Sequence, residues 1–104
     1  MVISFSNDDV FSFLEQYGYV ATFRSSRRKR PNCKTWCNRG RGQEKEFDVR
    51  IVEIGEVRPF DAGTNMVDFE IASGLGGLEN WRDAIREFHG EVKSGWLYIV
   101  VKDD

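Results

Sequence analysis

Histidine, cysteine and proline are scarce in this chain, and the first two scarcities close off classes of chemistry. A single histidine, His89, stands far in sequence from the only two cysteines, Cys33 and Cys37. Structural zinc takes four such ligands as a rule, so one chain falls short unless two chains share an ion. A Cys33–Cys37 disulfide would close a loop of about five residues and contribute roughly 2 kcal/mol through loop-closure entropy. Free thiols are the expectation for a cytosolic protein. No apolar run approaches the ~20 residues of a membrane span, and the first residues have neither the basic start nor the apolar stretch of a secretory leader. The cytoplasm is the expected location, without membrane partner, metal or cofactor.

Negative charge is also missing, but only locally. Residues 24–43 carry eight positive charges and no negative one, with Trp36 and several glycines among them. Residues 24–50 hold ten Lys/Arg against three Asp/Glu, or +7; the remainder holds five against fourteen, or −9, which together give the net charge of −2. A one-signed basic segment is the electrostatic footprint of a polyanion, nucleic acid being the commonest. The competing reading is a solvated loop whose charges keep it soluble.

What is present suits one domain of 104 residues, a length that buries roughly 65% of its unfolded surface. Eight Phe, three Trp and three Tyr supply bulky core material. Asn7-Asp8-Asp9 offers a cap and early acidic residues, Val10, Phe11, Phe13, Leu14 and Tyr17 recur at helical spacing, and Gly18 is a stop, which together predict a helix over 8–17. Tyr19 to Arg24 is rich in strand formers. Ser25 to Lys45 shows neither period and reads as a long basic loop; structureless connections beyond ~12–15 residues are usually functional or disordered. Trp36 argues against full disorder, either plugging the sheet from the loop side or stacking on a base. Glu46 to Val57 alternates as a strand, with Gly55 marking a bulge. Thr64 to Ser73 fits a strand or a short helix. Leu78, Trp81, Ile85 and Phe88 form one apolar helical face that ends at Gly90, and Trp96 to Val101 is the last strand.

Several motifs carry possible chemistry. Gly74-Leu-Gly76-Gly77 before a helix invites a phosphate-loop reading, yet Glu79 would repel phosphate there and a tight turn into the helix is preferred. His89 near a helix C-terminus is accounted for by the helix dipole. Thr22 and Arg24 project to one side of one strand and can address phosphate or a base edge. Arg39-Gly40-Arg41-Gly42 pairs close backbone approach with forked donors. Arg27-Arg28-Lys29-Arg30-Pro31 has the look of a nuclear localisation string.

The order of elements resembles a known family. The residues that carry the resemblance are Gly18-Tyr-Val-Ala-Thr-Phe-Arg24, a basic loop with Thr35-Trp36, the strand Phe47–Val57, Ser73-Gly-Leu-Gly-Gly-Leu-Glu-Asn-Trp81 and Gly95-Trp-Leu-Tyr-Ile-Val-Val101. Together they look like the ASCH domain of the PUA-like superfamily, over nearly the whole chain. The resemblance implies an α+β fold: a small, mostly antiparallel PUA-like β-barrel with two or three helices and a cleft beside the strand 19–24. Members bind RNA or act in RNA-linked processes; some are amidohydrolases of an acylated cytidine and a few are ribonucleases. The amidohydrolases carry a lysine where this chain has Tyr19, so the threonine lacks its activating base.

The leading expectation is a monomeric RNA-binding module for single-stranded or structured RNA. Its site would comprise Arg27, Arg28, Lys29, Arg30, Lys34, Arg39, Arg41 and Lys45 on phosphates, with Thr22, Arg24 and Trp36 lining a base-reading cleft. The alternatives are a nucleic-acid-related hydrolase using Thr22, Arg24, Lys34 and Glu79, and a basic loop that docks an acidic protein surface.

Overall fold

Asn7 starts the first helix by accepting, through its side-chain oxygen, from the N–H groups of Asp9 (2.9 Å) and Val10 (3.1 Å). Two first-turn acids, Asp8 and Asp9, complement the helix dipole. Gly18 ends the helix in the left-handed conformation, its N–H donating to Leu14 O at 2.8 Å. In this computed structural model, which describes residues 2–103, the elements run β1 (Ile3–Ser4), α1 (Asp8–Tyr17), β2 (Tyr19–Arg24), β3 (Cys33–Asn38), β4 (Lys45–Val57), a 3-10 turn (Asn65–Phe69), α2 (Leu78–His89) and β5 (Gly95–Lys102). The Cα radius of gyration of 12.8 Å is close to that of a single compact body of this length.

The five strands form one sheet in the order β1-β3-β4-β5-β2, parallel at β1–β3 and antiparallel elsewhere. One face of the sheet packs Val20, Val49, Ile51, Tyr98 and Val100 against Phe11 and Leu14 of α1. The other face packs Ala21, Phe23, Val57 and Leu97 against Trp81 and Ile85 of α2 and Met66 of the 3-10 turn. The register of β4 on β5 shifts between Glu53 and Gly55, as the break in alternation anticipated.

The fold is α+β, and its sheet curls into half a barrel. This agrees with the expected small, mostly antiparallel barrel-like architecture with two helices. β1 contributes only two residues, is paired to β3, and lies at the opposite edge of the sheet order from β2. The two edge strands face one another, and the Arg24 side chain on β2 reaches across to donate from Nη2 to Ser4 O on β1 at 3.2 Å.

The segment 25–45 also departs from the expected loop, because Cys33–Asn38 is a strand paired with β4. Its burial does alternate, but the inward residues are Cys33, Thr35 and Cys37, small and half-polar, so they leave no apolar signature. Cys33 and Cys37 lie four residues apart along extended chain, about 13 Å, and no disulfide can join them. Burial pushes the Cys37 thiol pKa up, which keeps it in the unreactive thiol form. Thr64–Ser73 resolves as the 3-10 turn, with the Thr64 hydroxyl accepting from Met66 N. No described helix is long and apolar enough to cross a membrane.

Candidate functional site

The gap between the two sheet edges is a cleft of about 450 Å³. β1 and the residues after it supply Ser4, Phe5 and Ser6; β2 and its continuation supply Thr22, Arg24, Ser25, Ser26 and Arg28; α2 supplies Trp81, Ile85, Phe88 and His89. Thr22 and Arg24 share the cleft because side chains two apart on a strand share a face. Arg28 is brought in by its backbone: its N–H donates to the phenol oxygen of Tyr98, a fully buried side chain, at 2.8 Å. That bond fixes the start of the β2–β3 connection over the cleft.

The electrostatics are one-sided. No Asp or Glu is among the described residues lining the cleft. Burial, and after it the neighbouring positive charge of Arg28, together lower the pKa of Arg24 to about 10. The Arg24 guanidinium lies over the Phe5 ring, 5.5 Å from its centroid, and Ser4 O engages one of its five N–H donors. A partly desolvated cation with spare donors, a second cation beside it and hydroxyls around both is chemistry for an anion. Opposite them, Phe88 is 66% exposed at the cleft mouth, a large ring left in water. Phe88 reads in sequence as part of the buried face of α2; only Trp81 and Ile85 of that face are buried.

No protein-family model, curated protein or solved structure matches the chain. The ASCH resemblance therefore stands on the residues quoted for it, and the cleft is read from its own geometry.

That geometry divides the basic residues into three groups. Arg27, Arg39 and Lys45 are committed to carboxylates. Arg27 forks onto Glu53 at 2.9 and 3.0 Å, which raises its pKa, and lies over the Trp96 ring. Arg39 pairs with Asp8, donates to Phe5 O at 2.9 Å and lies 4.5 Å from the Phe11 centroid. Lys45 pairs with Asp48 at 2.7 Å. Lys29, Arg30, Lys34 and Arg41 are exposed and make no ion pair among the described residues. Arg24 and Arg28 alone reach the cleft.

Trp36 does not line the cleft. It sits on the open side of β3 at 36% exposure, opposite Asp48 and two residues from Lys34. The grouping of Thr22, Arg24 and Trp36 in one base-reading cleft is thus corrected to Thr22 and Arg24, since period two sends Trp36 to the other sheet face. The hydrolase grouping is likewise divided: Lys34 lies on that open side, and Glu79 pairs with Arg82 at 2.7 Å on α2, outside the cleft lining. The glycine-rich turn before α2 is no phosphate loop, because the Glu70 carboxylate already accepts from Leu78 N at 2.9 Å. Gly74 is there because a Cβ would meet Phe13 Cβ at 2.9 Å and Val10 Cα at 3.2 Å, at a φ of +78°. Among the described residues no cluster of three or more His, Cys, Asp or Glu side chains could hold a metal.

Arg39 consequently has a structural role. Arg39→Ala removes a charge-assisted bond, a backbone bond and a cation–ring contact, and a loss of about 1–2 kcal/mol is expected in chemical denaturation. RNA affinity should stay within about twofold of the parent. A large loss of RNA affinity without loss of stability would place Arg39 in the interface.

Proposed function

We propose that this chain is an RNA-binding module of ASCH type with a PUA-like fold, whose ligand enters the seam between β1 and β2. The observation that carries the reading is the placement of Arg24 and Arg28 in a cleft with no lining carboxylate among the described residues, facing an exposed aromatic. Guanidinium groups address phosphate, and the exposed Phe88 ring offers a stacking surface for a base. Lys29 and Arg30 continue the chain outward from the cleft as exposed cations and extend the favourable potential along a strand leaving it. Thr22 and Arg24 also belong to one of the several segments that carry the ASCH resemblance.

Salt dependence tests the proposal. Single-stranded RNA binding loses about 0.7 units of log–log slope per phosphate contact removed. The double variant Arg28→Ala, Lys29→Ala should therefore flatten the slope by roughly 1.4 in fluorescence anisotropy titrations. The substitutions keep the bond from the backbone N–H of residue 28 to the Tyr98 phenol oxygen, and circular dichroism of the variant checks the fold. An unchanged slope would move the RNA contacts elsewhere.

A further inference from the structure

The charge arrangement of the cleft narrows the ligand beyond RNA in general. Arg24 has no ion pair with any described residue, and its guanidinium is crowded by the like charge of Arg28. An internal phosphodiester brings one negative charge to that pair. A phosphomonoester brings about −1.5 to −2 at pH 7, with three strong acceptor oxygens, and so matches the charge of two guanidinium groups. Serine hydroxyls at 25 and 26 add neutral donors around the same end, whereas the Ser4 hydroxyl donates to Asn38 Oδ1 at 2.6 Å. At about 450 Å³ the cleft is at the small end of ligand pockets, roughly 300–1,000 Å³. Its apolar wall includes Leu75, Trp81, Ile85 and Phe88, a surface for one planar ring.

We propose that the cleft binds a single nucleotide unit through its phosphomonoester, with the phosphate on Arg24 and Arg28 and the base against the Trp81, Ile85 and Phe88 wall. The inference rests on the RNA-binding reading and narrows it: the shared chemistry is that of a phosphorylated RNA end or a free mononucleotide. Direction along the chain follows from it. Where RNA is the source, the strand terminates in the cleft and leaves past Lys29 and Arg30.

Isothermal titration of the full chain distinguishes the two sources and the two readings. The probes are one five-nucleotide RNA bearing a 5′-phosphate, a 3′-phosphate or hydroxyls at both ends, together with AMP, CMP and the matching nucleosides. The expected result is at least tenfold tighter binding of one phosphorylated RNA than of the hydroxyl-ended RNA, lost in Arg24→Met and in Arg28→Gln, each checked for folding by circular dichroism. Equal affinity for all three RNAs, still dependent on Arg24, would overturn the monoester inference and leave RNA binding standing. AMP or CMP binding that needs Arg24, without RNA binding, would support the monoester and overturn the RNA reading. Binding of nucleosides as tightly as nucleotides would overturn the phosphate assignment. No binding of any probe would overturn both proposals.

Discussion

Gly95→Ala should unfold a large part of the stability of this protein, with a loss of about 3 kcal/mol and a fall in Tm on the order of 15 °C. Gly95 opens β5 and is buried. A Cβ there would stand 2.1 Å from Phe23 Cζ, 2.3 Å from Phe23 Cε2 and 2.7 Å from Arg24 O. The ring cannot retreat freely, because Phe23 is packed in the cluster of Trp81, Ile85, Val57 and Leu97. The carbonyl cannot retreat without moving β2, which is paired to β5 along its whole length, from Tyr19–Val101 to Arg24–Trp96. Gly95 thus lets β5 approach the end of β2 that carries Arg24 into the cleft. Gly63→Ala is the matched control: a Cβ at residue 63 meets nothing within 4 Å, and a change within about 0.5 kcal/mol is expected. Thermal denaturation followed by circular dichroism decides the pair. A Gly95→Ala protein as stable as the Gly63→Ala protein would show that Phe23 and the cluster beneath α2 are loosely packed.

The sequence displayed Gly95 only as a strand boundary, and the difference illustrates where legibility ends. Local rules located α1 to the residue, because Asn7 and Gly18 are unambiguous start and stop signals. They located β2 to the residue and β4, β5 and α2 to within about one, since each has a single dominant period. They missed β3, whose inward side is Cys and Thr, and β1, which exists only because Ile3 and Ser4 meet Cys37 and Asn38 from far along the chain. Both misses involve strands whose pairing, and not whose composition, makes them strands.

The site was legible in the same partial way. That Thr22 and Arg24 share a face follows from period two alone. That Arg28 joins them requires Tyr98, seventy residues away in sequence. That Phe88 borders the cleft requires α2 to lie across the opening, so that the end of its apolar stripe projects past the core. The basic run of 24–43 gave the sign of the cleft's charge but overstated how many of its cations reach the cleft. Asp8, Asp48 and Glu53 lie outside the run and bind Arg39, Lys45 and Arg27 in the folded chain. No count of charges along the sequence shows which cations will be used in this way.

The remaining prediction sets stability against function at one residue. Arg24→Met should lower affinity for phosphate-bearing ligands by at least tenfold and, at the same time, leave the protein as stable as the parent or more stable by about 1–3 kcal/mol. Folding desolvates the Arg24 guanidinium beside Arg28, and its pKa is lowered to about 10. A cation whose pKa falls on folding is held more tightly by the unfolded chain, so the cost is present at every pH below about 10 and diminishes only as pH rises above it. One hydrogen bond to Ser4 O and a 5.5 Å contact with the Phe5 ring offset part of that cost, and the methionine chain retains packing over Phe5. A residue placed for structure would show the opposite sign, as Arg39→Ala is expected to. Parallel denaturant titrations of Arg24→Met and the parent, each with and without 5′-phosphorylated RNA, measure both effects. The parent should gain stability from the ligand according to the ligand concentration over its Kd, while the variant gains little. A variant that is both less stable and equally able to bind would make Arg24 a strut between the two sheet edges and not the anion site of the cleft.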